Sequence, residues 1–454
     1  MSEQIYALIL AAGKGTRMKS NRNKVLHHVG GLPMIEQVLL QLQALQIEQI
    51  GVVVGHHKEQ IIDELGDKVR YIEQTEQLGT GHAVKVASDW LRELQGTTLV
   101  LCGDTPLLTK ATLTRLLDVH KQGRAACTVL TAVATDPTGY GRIIRDEQGK
   151  VIKIVEQKDA SVEERKVQEV NAGIYCFDNK LLFEALEQIT DNNAQGEYYL
   201  TDVVEIFNSQ KHIVLPCVAT AFEEIVGVND RVALAKANKI MRARILEEWM
   251  LNGVTILDPD STYIDTHVTI GRDVTIYPGV HLRGATTISN LATIGPNSEI
   301  EDSQVNEGSR VWQSVVIKST IGQATQVGPF AYIRPGSVIG DNVKIGDFVE
   351  IKNASIGNES KVSHLSYIGD AEVGQSVNIG CGTVTVNYDG KRKHKTIIKD
   401  NSFVGCNSNL VAPVTVAENS YIAAGSTITK DVPNNSLAIA RSHQINKLNY
   451  IKKT

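Results

Sequence analysis

The sequence predicts a chain in two parts: an α/β domain built on a mostly parallel sheet, then a parallel β-helix. Strand-like runs alternating with helical patterns through the first half predict the former, because such a chain covers both faces of its sheet. An aliphatic residue at every sixth position, recurring from Ile264 to Val432, predicts the latter. A long apolar pattern at helical spacing over 230–251 lies between them, so the expected domains are 1–229 and 252–454 with a linker helix.

Taken in order, strands are read at 5–10 (IYALIL), 50–54, 69–72, 98–102 and 127–133, and helices at 33–46, 80–95 and 109–121. Ligands of such sheets bind beyond the carboxyl ends of the strands. Gly15 and Asp104 fall at such ends. The run Gly13-Lys14-Gly15-Thr16-Arg17-Met18 lets backbone N–H groups approach a phosphate closely, with Arg17 and Lys24 to neutralise it. Met18 stands where the dinucleotide fingerprint needs its third glycine, and the run has no Gly-Lys-Ser/Thr of a P-loop. Both common nucleotide folds therefore lose ground. Across the junction, Val232, Ala235, Ile240, Met241, Ile245, Trp249 and Met250 supply the helical pattern, Asp230 suits its N-cap and Asn252-Gly253 ends it.

In the second half Ile264, Ile270, Ile276, Leu282, Ile288, Ile294 and Ile300 keep strict phase, as do Ile398, Val404, Leu410, Val416, Ile422 and Ile428. A period of six fits neither a helix nor a simple strand; three flat faces of one hexad each fit it and give about nine coils. Small residues four positions after each aliphatic one (Val268, Val274, Val280, Thr286, Ala292, Ser298) are expected to fill the interior. Gly271, Gly295, Gly322, Gly328, Gly340 and Gly346 are expected in the turns. The beat breaks at His364 and again after Thr385, where Asn387-Tyr-Asp-Gly390 and Lys391-Arg-Lys-His-Lys395 read as a projecting loop. Such a loop suits either solvent or a phosphate-bearing ligand.

Over 454 residues the net charge is -5, which argues against a general nucleic-acid or membrane-surface binder. Six cysteines (102, 127, 176, 217, 381 and 406) contain no Cys-x-x-Cys pair, so neither a disulfide framework nor a zinc site is expected. With no apolar run of membrane length, the expectation is a cytoplasmic protein without nucleic-acid or membrane partners.

Leu10-Ala-Ala-Gly-Lys-Gly-Thr-Arg-Met18 followed by Lys24-Val-Leu-His27 resembles the N-terminal motif of sugar-1-phosphate nucleotidyltransferases. Further stretches extend the likeness: Gln74-Thr-Glu-Gln-Leu-Gly-Thr-Gly-His82, Gly103-Asp104, Gly139-Tyr-Gly141, Glu156-Gln-Lys-Asp159, Asn192-Asn-Ala-Gln-Gly-Glu-Tyr-Tyr199 and Gly227-Val-Asn229. With them nearly the whole chain resembles the bifunctional family that joins N-acetylglucosamine-1-phosphate uridyltransferase to glucosamine-1-phosphate acetyltransferase. The resemblance implies an α/β Rossmann-like nucleotidyltransferase domain followed by a left-handed parallel β-helix of hexapeptide repeats. It implies Mg2+ as cofactor, UTP and acetyl-CoA as co-substrates, and a homotrimer assembled through the β-helix.

Residue by residue, the resemblance implies that Asp104 and Asn229 hold Mg2+ and that Leu10, Ala11, Ala12, Gly13, Gly15, Arg17 and Lys24 embrace the nucleotide. Arg17 and Lys24 would act on its phosphates, Gln74, Gly79 and Thr80 would read the uracil, and Gly141, Glu156 and Asn171 would fix the sugar. For acetyl transfer His364 would be the general base, since a sugar amine must shed a proton before it attacks a thioester. Arg334, Lys352 and Lys393 would hold the substrate phosphate, with Tyr367, Asn378 and Asn387 on the sugar. Tyr388, Cys381, Cys406, Ala424 and Arg441 would line the acetyl-CoA channel. The family usually carries Pro before the motif lysine; Asn23 stands there in this chain and is expected to loosen the loop.

Singly, these residues have plainer readings. Asp104 suits a strand end, Glu156 beside Lys158 a solvated ion pair, Asn171 and Asn229 turns or caps, and His364 a satisfied structural histidine. Cys381 and Cys406 read more readily as quiet small hydrophobes than as reactive thiols. Two other functions fit the same architecture. A single-activity sugar-1-phosphate nucleotidyltransferase with a structural β-helix is disfavoured by His364 and the basic loop. A non-catalytic assembly subunit is disfavoured by the intact Gly15, Arg17, Lys24, Asp104 and Asn229.

Overall fold

Alternate residues of the first strand enter opposite cores: Ala7 and Ile9 pack on one side of a sheet, Tyr6 and Leu8 on the other. A strand buried on both faces belongs at the centre of an α/β sheet. The computed structural model describes residues 4–448, 450 and 451, and divides into two units between Met241 and Arg242. In the first unit the strands are β1 (Ile5–Leu10), β2 (His28–Val29), β3 (Leu32–Pro33), β4 (Gln49–Val54), β5 (Arg70–Glu73) and β6 (Thr97–Cys102). After them come β7 (Cys127–Val133), β8 (Arg142–Arg145), β9 (Val151–Val155), β10 (Glu169–Asp178) and β11 (Val214–Val218). The main sheet runs β11-β7-β10-β6-β1-β4-β5, with β8 and β9 joined beside β10.

The main sheet is mostly parallel, as expected: along the path described, β10 alone runs antiparallel, between β6 and β7. It is reached through the β8–β9 hairpin, without the crossover helix that a parallel neighbour needs. The helix expected at 80–95 is two pieces, Thr80–Lys85 and Ser88–Leu91. Between them the backbone tightens to contacts three residues apart, Ala87 N–H to Val84 O at 3.0 Å and Trp90 N–H to Ala87 O at 3.1 Å.

The helix Arg231–Leu251 opens on the expected cap, Asp230 Oδ1 accepting from Ala233 N–H at 2.8 Å. Its Ala237 is buried against Val29, Met34, Leu107 and Val228. No helix among the described residues is long and apolar enough to cross a membrane.

The second unit is a parallel β-helix. Ile264 lies beside Leu282, Ile270 beside Ile288 and Ile276 beside Ile294, each one coil on. Among the described residues its three sheets contain eleven, ten and nine strands, so nine coils carry a strand on every face. The hexad aliphatics are buried, and so are Val268, Val274, Val280, Thr286, Ala292 and Ser298. Hydroxyls among the small residues do more than fill space: Ser309 Oγ accepts from Thr325 N–H (3.0 Å), and Thr325 Oγ1 accepts from Val343 N–H (3.0 Å) and donates to Gly340 O (2.7 Å). Turn backbone buried between coils is thereby satisfied from within. Of the six glycines expected in turns, Gly328 alone has positive φ, at 101°. The others allow close approach; a Cβ on Gly346 would stand 1.9 Å from Ser363 O. Many left-handed corners are taken instead by Asn and Asp, including Asp273, Asn297, Asn342 and Asn407.

Candidate active sites

Strand register builds the first site. Leu10 lies beside Val53 of β4 and Cys102 of β6, so the segments leaving these three strands open on one edge. A cavity of about 460 Å³ there is walled by Leu10, Ala11, Ala12, Gly13, Lys24, Gln74, Gly79, Thr80 and Asp104, among others. Gly15 is not among these walls but packs against one of them: its φ is 59°, and a Cβ on it would stand 2.7 Å from the Lys24 Cβ. The Lys24 ammonium donates to Asp104 Oδ2 at 2.5 Å and to Asn229 Oδ1 at 3.1 Å. Asp104 therefore does more than end a strand. Two oxygen donors from different segments face one cation, and that donor set suits a hard metal ion.

The residues expected at the sugar are not among the walls of this cavity but group together. Asn171 N–H donates to Gly141 O at 2.9 Å, and a Cβ on Gly141 would lie 3.4 Å from Glu156 Oε1. Burial first, then the neighbouring Asp159 and Asp202, pushes the Glu156 carboxyl up. Lys158 turns away to Gln195 Oε1 at 2.7 Å, so the plain Glu156–Lys158 ion pair does not form. Arg17 is exposed in the short turn Thr16–Met18 and is not among the cavity walls.

The loosened loop expected at Asn23 is also corrected. Asn23 is buried; its side chain accepts from Val25 N–H (3.1 Å) and donates to His56 O (2.9 Å), and its own N–H donates to Gln60 Oε1 (2.7 Å). Sequence reasoning also passed over Lys14, Gln77, Cys102 and Glu197, which line the cavity. Lys14, Gln77 and Glu197 lie inside the motif stretches themselves, which was the available signal. Burial pushes the Cys102 thiol up to about 12 and keeps it neutral.

The second site lies on the β-helix. Asp347 and His364 are register partners on adjacent coils, and His364 Nδ1 meets Asp347 Oδ1 at 2.7 Å. That bond holds the Asp347 carboxyl below its usual range and leaves His364 Nε2 as the acceptor when Nδ1 carries the proton. Asn378 sits on the next strand of the same sheet, beside Lys361. On the neighbouring sheet, strands Tyr332–Ile333, Glu350–Lys352 and Tyr367–Gly369 stack in order, bringing Lys352 and Tyr367 close to Arg334. Arg334 Nη1 pairs with Glu350 Oε1 at 2.7 Å. The Lys352 ammonium presses on Lys393 and lowers its pKa, two like charges crowded together.

The basic loop is not a loose solvated segment. Asp389 accepts from the N–H groups of Lys391 and Arg392, each at 2.7 Å, and pairs with His394 Nε2 at 2.8 Å. Tyr388 and Lys393 form an antiparallel bridge across it. At its base Asn387 Nδ2 donates to Asp370 Oδ2 (2.5 Å) and to Tyr367 Oη (3.4 Å). Farther along the coils, Cys381 O accepts from Asn407 N–H (2.7 Å) and Cys406 O from Gly425 N–H (2.8 Å). A Cβ on Gly405 would lie 2.5 Å from Ala424 N, and one on Gly425 would lie 3.8 Å from Arg441 Cδ, so these residues form a row. Cys406 is exposed and Cys381 partly so.

Residues 6–224 match the nucleotidyl transferase family, and residues 318–353 and 395–430 match the bacterial transferase hexapeptide family of six repeats. Over 448 residues the chain is 58% identical to the bifunctional protein GlmU of Geobacillus sp. (strain WCH70), spanning 99% of this chain and 98% of that protein. The bifunctional protein GlmU of Shouchella clausii (strain KSM-K16) is 54% identical over 448 residues, 99% of each chain. That of Listeria monocytogenes serotype 4a (strain HCC23) is 53% identical over 447 residues, 98% of each.

Proposed function

The chain belongs to the family of bifunctional GlmU proteins, and from that premise we propose how its two transferase activities, acetyl transfer and uridylyl transfer, are carried out. The β-helix acetylates glucosamine 1-phosphate from acetyl-CoA. The α/β unit then joins the product to the uridylyl group of UTP, releasing pyrophosphate and UDP-N-acetylglucosamine.

In acetyl transfer His364 Nε2 takes a proton from the sugar amine, and the amine nitrogen attacks the thioester carbonyl; the C–S bond then breaks, and the imidazolium returns the proton to the departing sulfur, releasing coenzyme A as its thiol. Asp347 holds the imidazole by Nδ1, sets its tautomer and stabilises the imidazolium that forms. Arg334, Lys352 and Lys393 receive the sugar phosphate, whose charge relieves the crowding of the two lysines. Tyr367, Asn378 and Asn387 orient the sugar, and Tyr388, Cys381, Cys406, Ala424 and Arg441 guide coenzyme A.

In uridylyl transfer a phosphate oxygen of the sugar attacks the α-phosphorus of UTP, a step governed by alignment and charge neutralisation. Gln74, Gly79 and Thr80 face the uracil, while Gly141, Glu156 and Asn171 hold the sugar. Arg17 and Lys24 neutralise the triphosphate along the Leu10–Gly15 backbone. Asp104 and Asn229 would hold Mg2+, which supplies charge neutralisation to the phosphates. A homotrimer formed through the β-helix and a cytoplasmic location, where UTP and acetyl-CoA are made, complete the reading.

The observation that carries the assignment is the convergence of Lys24, Asp104 and Asn229 at one point of one unit and of His364 with Asp347 on the other. The test supplies glucosamine 1-phosphate, acetyl-CoA, UTP and Mg2+ and follows thiol and pyrophosphate separately. His364→Ala is expected to abolish thiol release and spare pyrophosphate formation from pre-acetylated sugar, and Asp104→Ala to do the reverse. Loss of both activities in either variant would refute independent sites.

A further inference from the structure

The turn that carries Lys24 is held from outside the cavity, and we propose that Asn23 and Gln60 are positioning residues for uridylyl transfer that act through Lys24. The inference rests on the phosphate-binding role given to Lys24 above. Asn23 is 4% exposed and every polar group it has is engaged: N–H to Gln60 Oε1, Nδ2 to His56 O, Oδ1 from Val25 N–H, and O from Leu26 N–H at 3.1 Å. Gln60 completes the clamp by donating Nε2 to Asn21 O at 3.0 Å. One carboxamide thus pairs with the backbone on both sides of Arg22, as a neighbouring strand would.

The anchor of this clamp is the sheet. Gln60 lies on the helix Lys58–Leu65, which follows β4 after a short loop. That loop is pressed on the cavity wall, since a Cβ on Gly55 would stand 2.9 Å from Ala12 O. The position of the β1–β4 edge is thereby passed through Gln60 and the His56 carbonyl to Asn23, one residue before Lys24. A lysine side chain is long and flexible, so its ammonium is aimed only as well as its backbone is fixed. A displacement of about 1 Å away from the reacting atoms is enough to lower a rate by about a hundredfold.

Asn23→Ala and Gln60→Ala are each expected to lower kcat/KM for pyrophosphate formation by about tenfold to a hundredfold, with thiol release from acetyl-CoA unchanged. Gln60→Glu keeps an acceptor for Asn23 N–H but sets a carboxylate oxygen against Asn21 O, and should lose at least as much activity as Gln60→Ala. In a Lys24→Ala background, neither alanine change should reduce the residual rate further. A general folding role predicts the same fractional loss in both backgrounds, and that result overturns the proposal, as does full activity of both single variants. If Asn23→Ala unfolds the first unit, seen as a lost thermal transition, the partly exposed Gln60 carries the same test. Lys24→Ala with undiminished pyrophosphate formation would instead overturn the role of Lys24 itself, and this proposal with it.

Discussion

The two units assemble polar sites by opposite means. In the first, Lys24, Asp104 and Asn229 come from segments up to 205 residues apart, and they meet only because β1, β4 and β6 end in register. In the second, partners stand one coil apart, His364 17 residues after Asp347 and Glu350 16 after Arg334. An α/β site is thus a property of the whole sheet, whereas a β-helix site is a local departure from a repeat. The first should be sensitive to how loops are anchored, the second to single outward-facing substitutions.

The sharpest break is expected on the β-helix, where one substitution removes one function. His364→Ala should lower acetyl transfer by about 10²–10⁴-fold, the usual range for general-base help. Asp347→Ala should lower it by about tenfold to a hundredfold, because the imidazole loses its orienting partner while the base remains. Steady-state thiol release measures both, and pyrophosphate formation should be unaffected. An Asp347→Ala rate equal to wild type would separate the pair from the chemistry.

An interior change tests the repeat as scaffold. Ile351 is fully buried between Ile333 and Ile368 on adjacent coils. Ile351→Ala should lose about 2–5 kcal/mol of stability by denaturant unfolding, since rigid neighbouring coils cannot collapse into the space. A loss below about 1 kcal/mol would mean that the coils relax.

At the first site the next test falls on Lys24. Its ammonium lies between Asp104 and Asn229, the two residues proposed to hold Mg2+. If they do hold it, ammonium and metal compete for the same oxygens when no nucleotide is bound. Lys24→Ala should therefore tighten Mn2+ binding by about tenfold, measured by electron paramagnetic resonance of the free ion, even as uridylyl transfer falls. Unchanged or weaker Mn2+ binding would show that the two cations do not share a position.

Legibility in the sequence followed the same division. The β-helix could be read from its period, because every hexad aliphatic meets the same environment. Its hydroxyl ladders and Asp347 escaped notice, since a residue that looks like filler or a solvated acid acquires a partner only when positions one coil apart are compared. In the α/β unit the strand cores of β1, β4, β5, β6 and β7 were legible, but the short β2 and β3 and the strands β8 to β11 were not, among them β10, which runs antiparallel within the otherwise parallel main sheet. Motif stretches located most cavity walls. They misjudged Asn23, whose partners His56 and Gln60 lie on another element and leave no trace in local spacing.

The smallest effects should differ in sign between the units. In the first, burial, with Glu205 and Asp159 nearby, raises Asp202 to about 6. Its native pKa then exceeds that of an unfolded aspartate, about 3.9, so between these values the native state binds more protons. That contribution to stability is present below about pH 4 and lost as pH rises through about 6. On the β-helix loop, Asp389 is held low, first by the Arg392 N–H and then by His394 and the Lys391 N–H. Its contribution is present above about pH 4 and lost in acid. Asp202→Asn should accordingly raise the melting temperature at pH 8, with the gain vanishing near pH 4, while Asp389→Asn should lower it at pH 8 and matter less in acid. Melting curves at the two pH values decide the matter: a gain for Asp202→Asn that persists at pH 4 would trace it to packing rather than to ionisation of a buried carboxyl.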